Sequence, residues 1–305
     1  MNFTPKQMVA ILALFGTIAD ETYGLERVAL NATTFIPMQD GVKPWQSAWG
    51  YKVVSEVGMA AFIADYADDL PPVARFLTPK SVGIKTVADS YAYSEFELQQ
   101  WLAGGVDLSR DDAETARRKI DEKVDDVILV GDAAQGVTGL FNNENVTAVE
   151  SEVGASGKTD FENKTFKEIV AQFRAVMNAQ KNLYNDKKVA TKFDSVILPS
   201  NSMSYIETTY VSDNSQVTIL DALKSMFKGI VNWYESESLE GIGGSNTGRA
   251  VFYKKDKSVV SYVLPEPFRQ KNPQEQALHY KVPCYARIGG TVIKNLKGIV
   301  YCDGV

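Results

Sequence analysis

The strongest periodic signal in the chain lies between Ser90 and Leu140. Ala113, Ala116, Ile120, Val124, Val127 and Ile128 recur at steps of three and four, which places them on one helical face. Ser109 with Asp112 three residues later reads as an N-cap pair. Asp111, Asp112 and Glu114 fall in the first turn, where the helix dipole favours anions. Phe96, Leu98, Trp101 and Leu102 form a second apolar helical patch upstream, and Gly104-Gly105 separates the two. As one kinked rod, residues 94–130 would span roughly 50 Å at a rise of about 1.5 Å per residue. The rod runs into the glycine-spaced turn GDAAQGVTGLFNN, a loop leading back towards a sheet. A spine of this kind suits a protein built to span distance.

Before the spine, one helix is predicted from Pro5 to about Ile18. The stretch that follows has scattered apolar residues without a period, which suits an arm lying on other surfaces. From Trp49 the pattern alternates: Trp49, Tyr51, Val53 and Val57 on one side, Gly50, Lys52 and Glu56 on the other, as in a strand. The return strand is read at Ser81–Tyr91. Between them lies MAAFIADYADDLPPVARFLTPK, where Pro71 and Pro72 prevent a continuous helix. The expected product is a long projecting hairpin with an apolar tip, either folded onto its own domain or reaching a neighbour.

Beyond the spine, Asn145–Asp160 reads as a polar loop or ragged strand pair. Thr165–Leu183 is helical, with Phe166, Ile169, Val170, Phe173, Val176 and Met177 on its apolar face. Residues 193–199 form a buried strand ended by Pro199, followed by a helix capped by Ser200 or Asn201. Residues 217–227 form a short helix opened by Thr218 with Asp221. GIVNWYES and GRAVFYKK are strands joined by a flexible LEGIGGSNT connection; VVSYVLPEPF is one strand closed by two prolines. The C-terminal stretch supplies two or three strands turned at Gly289-Gly290. Helices and strands mix without regular alternation, so the class is α+β.

Composition narrows function mainly by exclusion. A chain of 305 residues with 45% hydrophobic and 23% charged residues can bury a sizeable core. A formal net charge of −6 argues against tight gripping of nucleic-acid phosphates, though not against lining a space filled with DNA. No apolar run approaches the length of a membrane span. MVAILALF (8–15) lacks the flanks of an export signal and reads as a packing helix. With only Cys284 and Cys302, no disulfide framework exists, and both are read as buried small apolar residues. The sequons at Asn31, Asn145 and Asn163 are then coincidences of composition.

The search for catalytic chemistry finds little. His279 is the only histidine, which disfavours both a triad and a common zinc site, and its apolar neighbours place it in a strand as a structural residue. GIGGSNTG (241–248) lacks the lysine of a phosphate loop. Ser245 makes no nucleophile elbow, because Thr247 stands where glycine is required. Of the acidic pairs, Asp111-Asp112 is explained by capping and Asp125-Asp126 by a solvated helix face. Only Asp68-Asp69, beside the double proline, invites a specific role.

The segments IADYADDLPPV, SYAYSEFEL, ETARRKIDEKVDDVILVGDAAQGVTGLFNNENV, FDSVILPSNSMSYI, TILDALK and LHYKVPCYARIGGTVI, in this order over roughly 40–295, resemble the major capsid proteins of tailed double-stranded DNA bacteriophages. The resemblance implies the Hong-Kong-ninety-seven-type fold: an N-terminal arm (1–45), an extended E-loop hairpin (46–92), a peripheral domain on the spine (93–190, completed by 285–305) and an axial domain (191–284). It implies pentamers and hexamers closing into an icosahedral shell, made in the host bacterial cytoplasm and ending in the virion. Cofactors, metals and membrane are not expected. Scaffolding, portal and decoration proteins are possible partners, and packaged DNA a weak, non-specific one. The expected interface is the hairpin arm: Phe62, Ile63, Tyr66, Leu70, Val73, Phe76 and Leu77 as apolar contacts, Pro71 and Pro72 as local constraints, Asp68 and Asp69 facing basic residues. Burial of that apolar set would be worth on the order of 10 kcal/mol before ordering costs. An encapsulin-like compartment of the same fold is the alternative, and an enzyme using His279 or Asp68 and Asp69 comes third.

Overall fold

The computed structural model describes residues 6, 7, 9, 10, 13, 31–57, 74–104, 111–184, 191–212 and 214–305. Lys6, Gln7, Val9, Ala10 and Ala13 are helical, within the helix expected at Pro5–Ile18; the rest of that helix lies outside the described residues. A short helix, α1 (Asn31–Phe35), opens the continuous part. The hairpin then forms from β1 (Ala48–Val57) and β2 (Ala74–Gly83), paired antiparallel from Ala48↔Gly83 to Val57↔Ala74.

The return strand therefore differs from the expected Ser81–Tyr91. That stretch divides at Ile84, which is buried and donates its N–H to Ser47 O at 2.8 Å. Residues after it form a separate strand, β3 (Lys85–Ser94), committed to another sheet. Ser94 ends β3 and caps α2 (Glu95–Leu102) through a reciprocal box: Glu97 N donates to Ser94 Oγ at 3.1 Å, and Ser94 N donates to Glu97 Oε2 at 2.7 Å.

The spine is two helices rather than one rod. Gly104 takes φ +76°, a left-handed conformation that stops α2 after one further turn residue. The second helix, α3, is Asp111–Leu129. The Ser109 cap expected for it lies outside the described residues. All six residues of its predicted stripe, Ala113 to Ile128, are at most 4% exposed. Phe96 of the upstream patch, by contrast, is 62% exposed while Leu98 is fully buried.

The turn after α3 is a two-rung hairpin, β4 (Gly131–Asp132) against β5 (Val137–Thr138). Gly131 has φ +86°, and a Cβ on Gly139 would sit 2.3 Å from Val130 C and 2.5 Å from Gly131 N, so the backbones close only on glycine. The polar run that follows contributes one short strand, β6 (Ala148–Glu150). Helix α4 (Phe166–Asn182) begins at the predicted Thr165, again with a capping box, here to Glu168. Its Phe173 is fully buried and meets the rings of Phe161, Phe227, Trp233 and Phe252 at centroid distances of 5.2–6.3 Å.

β7 (Ser195–Pro199) is buried throughout, as its apolar run predicts. α5 (Ser200–Thr208) follows with Pro199, not Ser200 or Asn201, at its N-cap; proline's fixed φ pre-sets the entry, and Glu240 supplies the acceptor proline lacks, Asn201 N donating to its Oε1 at 3.1 Å. α6 (Ile219–Met226) is capped by Thr218, which accepts from Asp221 N at 3.3 Å. Then come β8 (Asn232–Ser236), β9 (Arg249–Tyr253) and β10 (Val260–Val263). VVSYVLPEPF is two strands, because the chain changes sheets after β10 and Pro267 sits inside β11 (Glu266–Gln270). β12 (Gln274–Gln276), β13 (His279–Ile288), β14 (Gly290–Ile293) and β15 (Ile299–Asp303) complete the chain.

Two sheets organise the body. In the first, β13 is central, flanked by β3 on one side and by β11 and β12 on the other. Its buried residues alternate strictly (Tyr280, Val282, Cys284, Ala286, Ile288) and join the stripe of α3 in one core. Pro283 is tolerated in this central strand for a geometric reason. Its carbonyl accepts from Lys271 N at 2.9 Å, so its missing N–H faces the gap between β11 and β12.

The second sheet has the order β6-β15-β9-β7-β8 and is a wall between two cores. Ile197, Val251, Tyr253, Ile299 and Tyr301 face the spine core. Val196, Leu198, Ala250, Phe252, Val300 and Cys302 face a second core with α4, α5 and α6. Among the described residues, no helix is long and apolar enough to cross a membrane.

Candidate subunit interface

The hairpin is fixed at its base and open beyond it. Trp49 and Tyr51 stack at 5.3 Å and pack with Val82 against Ile84, Val263 and Val292. Lys294 Nζ lies 5.5 Å above the Trp49 ring. Arg287 donates through Nη2 to Gln46 O at 2.9 Å and through Nη1 to Pro44 O, fastening the approach to β1. Farther out, Arg75 to Ser81 are all exposed, Phe76 at 59% and Leu77 at 55%. The other expected interface residues, Phe62, Ile63, Tyr66, Asp68, Asp69, Leu70, Pro71, Pro72 and Val73, lie outside the described residues.

The segment before the hairpin is a strap across its own body. Ala32 N donates to Asp125 Oδ1 at 2.8 Å, and Tyr253 Oη donates to Phe35 O at 2.6 Å. Lys255 Nζ donates to Thr34 O, and to Tyr234 Oη at 3.0 Å. Gln39 N donates to Tyr262 O at 2.8 Å, and Tyr262 N to Pro37 O at 3.1 Å. Ala32, Phe35 and Ile36 are buried beneath it. Asp125 is thus not on a solvated face: it is half-buried against the strap, and burial raises its carboxyl pKa despite the Ala32 hydrogen bond. The sequence gives no local sign of this, because the partners are 93 positions apart.

The other candidate residues do not assemble into a reactive site. His279 opens β13, half-buried, opposite Gln276 on one side and Ser94 on the other. The 241–248 connection joins β8 to β9 as expected, but it is fastened rather than flexible. Gly244 N donates to Asp303 Oδ2 at 3.1 Å, and Arg249 clasps Asp303 at 2.6 and 2.7 Å. The same guanidinium reaches Phe141 O at 2.7 Å and lies 4.6 Å over the Tyr301 ring. Cys284 and Cys302 are free and buried; burial pushes their thiols up to about 12 and about 11. Among the described residues, no three His, Cys, Asp or Glu side chains converge as a metal site.

A second surface feature went unread in the sequence. A groove of about 430 Å³ runs between the end of α4, residues 192–193 and the turn from α6 to β8. Met177, Phe193, Met226, Phe227 and Ile230 form its floor, and Lys181, Lys192 and Lys228, all exposed, stand around it. Among the described residues no carboxylate lines it. Its parts come from three distant stretches, so no local motif marks it.

Comparison with known proteins places this architecture. The capsid of Myoviridae phage XM1 superposes with a TM-score of 0.74 at 16% identity, over 92% of this chain and 94% of that one. The capsid of the empty GTA particle gives 0.56 at 11%, over 92% and 91%. The virus-like particle from Pyrococcus furiosus gives 0.54 at 11%, over 95% and 98%. At these identities the likeness is one of fold, the Hong-Kong-ninety-seven type. No curated protein matches the sequence significantly. The model of the major capsid protein family matches residues 58–305, most of the chain and both sheets of the body. The chain belongs to the major capsid protein family.

Proposed function

We propose that this chain builds an icosahedral shell from pentamers and hexamers of itself around the double-stranded DNA of a tailed phage, with the β1–β2 arm lying on a neighbouring subunit. The observation that carries the reading is a hairpin of ten residue pairs whose return strand is exposed from Arg75 to Ser81, Phe76 and Leu77 included. An isolated two-stranded hairpin is marginal in water and needs a surface. The role is structural: interfaces, not a reaction, do the work, and His279 serves the β13 ladder. Scaffolding, portal and decoration proteins are partners at the level of proposal, as are weak DNA contacts and assembly in the host cytoplasm.

The proposed division into arm (1–45), E-loop (46–92), peripheral domain (93–190 with 285–305) and axial domain (191–284) is refined by the two cores. Helix α4 packs with α5 and α6, which favours counting it with the axial unit, while β15 borders both cores through Val300 and Cys302 on one face and Ile299 and Tyr301 on the other. Residues 260–284 pack with the spine, which favours the peripheral unit.

The test is electron microscopy and light scattering of the purified protein, with nucleic-acid content measured on any particles. Closed shells are expected. A stable monomer under all salt and pH conditions, with and without a co-expressed scaffold, overturns the reading. Closed shells that never take up DNA and instead enclose a protein cargo favour the compartment reading.

A further inference from the structure

We propose that the lysine-rimmed groove at the end of α4 is the seat for the acidic tip of a second copy's arm. The inference rests on the arm reaching a neighbour, as proposed above, and names where it lands. The groove offers an apolar floor and three exposed lysines in a chain whose net charge is −6. Among the described residues none of those lysines is paired with a carboxylate; Lys181 only touches Asn178 Oδ1, at 3.5 Å. A local excess of one sign beside exposed apolar surface, with Met226 at 54% and the adjacent Val231 at 74% exposed, fits an acidic segment with apolar anchors.

The chain carries such a segment. Residues 61–73, AFIADYADDLPPV, hold Asp65, Asp68 and Asp69, no basic residue, and five large apolar side chains (Phe62, Ile63, Tyr66, Leu70, Val73). Three carboxylates match three ammonium groups, and the apolar residues between them match the floor. Another trough, of about 520 Å³ between the strap and α3, has Asp40, Asp121 and Arg117 in its lining. Charges of both signs there give no bias towards an acidic guest. The contact uses different patches on the two partners, so it is heterologous, and such contacts close into rings when the rotation permits.

The test uses the full chain and five variants. Lys181→Asp, Lys192→Asp and Lys228→Asp together are expected to lower the yield of closed particles about tenfold or more, with the thermal transition of the free subunit unmoved. Adding Asp65→Lys, Asp68→Lys and Asp69→Lys to that variant is expected to restore particles. Leu70→Cys with Met226→Cys is expected to cross-link under mild oxidation into ladders of subunits, the native cysteines being buried. Normal assembly of the lysine variant, failure of the sixfold variant to recover, or cross-linking of Leu70→Cys to Val42→Cys in the other trough instead, overturns the assignment. The fifth variant separates this from the broader reading: residues 62–78 replaced by a glycine-serine turn. If that variant still forms normal shells, the arm itself is dispensable and the parent reading fails; if it loses shells while the lysine variant keeps them, only the groove is wrong.

Discussion

Two antiparallel pairings in this chain each run for ten residue pairs, β1 with β2 and β3 with β13, and their surroundings are opposite. Every second residue of β13 is buried, because α3 covers one face and β11 and β12 extend the sheet beyond it. Among the described residues β1 and β2 pair only with each other, and the side chains from Arg75 to Ser81 on β2 are exposed. Backbone hydrogen bonding is equivalent in the two. What differs is the apolar area removed from water, and that term decides whether a ladder stabilises a monomer or waits for a partner.

Paired truncations test that contrast with the largest effect. Ile288→Ala, at 1% exposure on β13, is expected to cost the free subunit about 2–5 kcal/mol in denaturant unfolding. Leu77→Ala, at 55% exposure on the arm, is expected to change the same quantity by less than about 0.5 kcal/mol, yet to lower the assembled fraction in sedimentation. Equal losses in both would mean the arm packs on its own body. No loss of assembly at Leu77 would remove it from the interface.

How far each ladder could be read from sequence follows from the same physics. The α3 stripe and the alternation of β13 were legible, since a covered face imposes a period of 3.6 or 2 on the residues themselves. The boundary between β2 and β3 was not. Ile84 continues an apolar-polar alternation that spans both strands, and only its tertiary bond to Ser47 and its burial against Val263 and Val292 turn the chain between sheets. Asp125 was misread for the same reason: acidity beside Asp126 predicts solvent, while the strap that covers it lies far away in sequence. Of the proposed site, the arm's composition was visible and the lysine groove was not, because its rim is assembled from three separate segments.

A smaller effect tests how the supported ladder is joined to the spine. Ser94 is the last residue of β3 and the cap of α2, so one side chain couples sheet and helix. Ser94→Ala is expected to cost about 1 kcal/mol of subunit stability, the usual worth of such a cap. Ser94→Asp, which keeps an acceptor for Glu97 N, is expected to recover most of it. If both variants lose equally, the Ser94 contribution lies in packing, and the cap is incidental to the coupling.

The smallest effect concerns the turn that feeds the supported ladder. β12 and β13 are joined by a two-residue loop, Ala277-Leu278, and Ala277 has φ +51°. Loops of this length favour glycine at such a position, because a Cβ there crowds the following carbonyl. The loop is held from outside: Glu95 N donates to Leu278 O at 2.9 Å, and His279 is paired on both sides. A supported ladder can carry a strained turn that a bare hairpin could not. Ala277→Gly should therefore stabilise the subunit by about 0.5–1 kcal/mol, the relieved left-handed strain less the larger unfolded-state entropy of glycine. Thermal unfolding of the free subunit reads the change. A loss of stability would mean that the Ala277 methyl makes a contact worth more than its strain, and that the turn, like the arm, is shaped for something beyond the monomer.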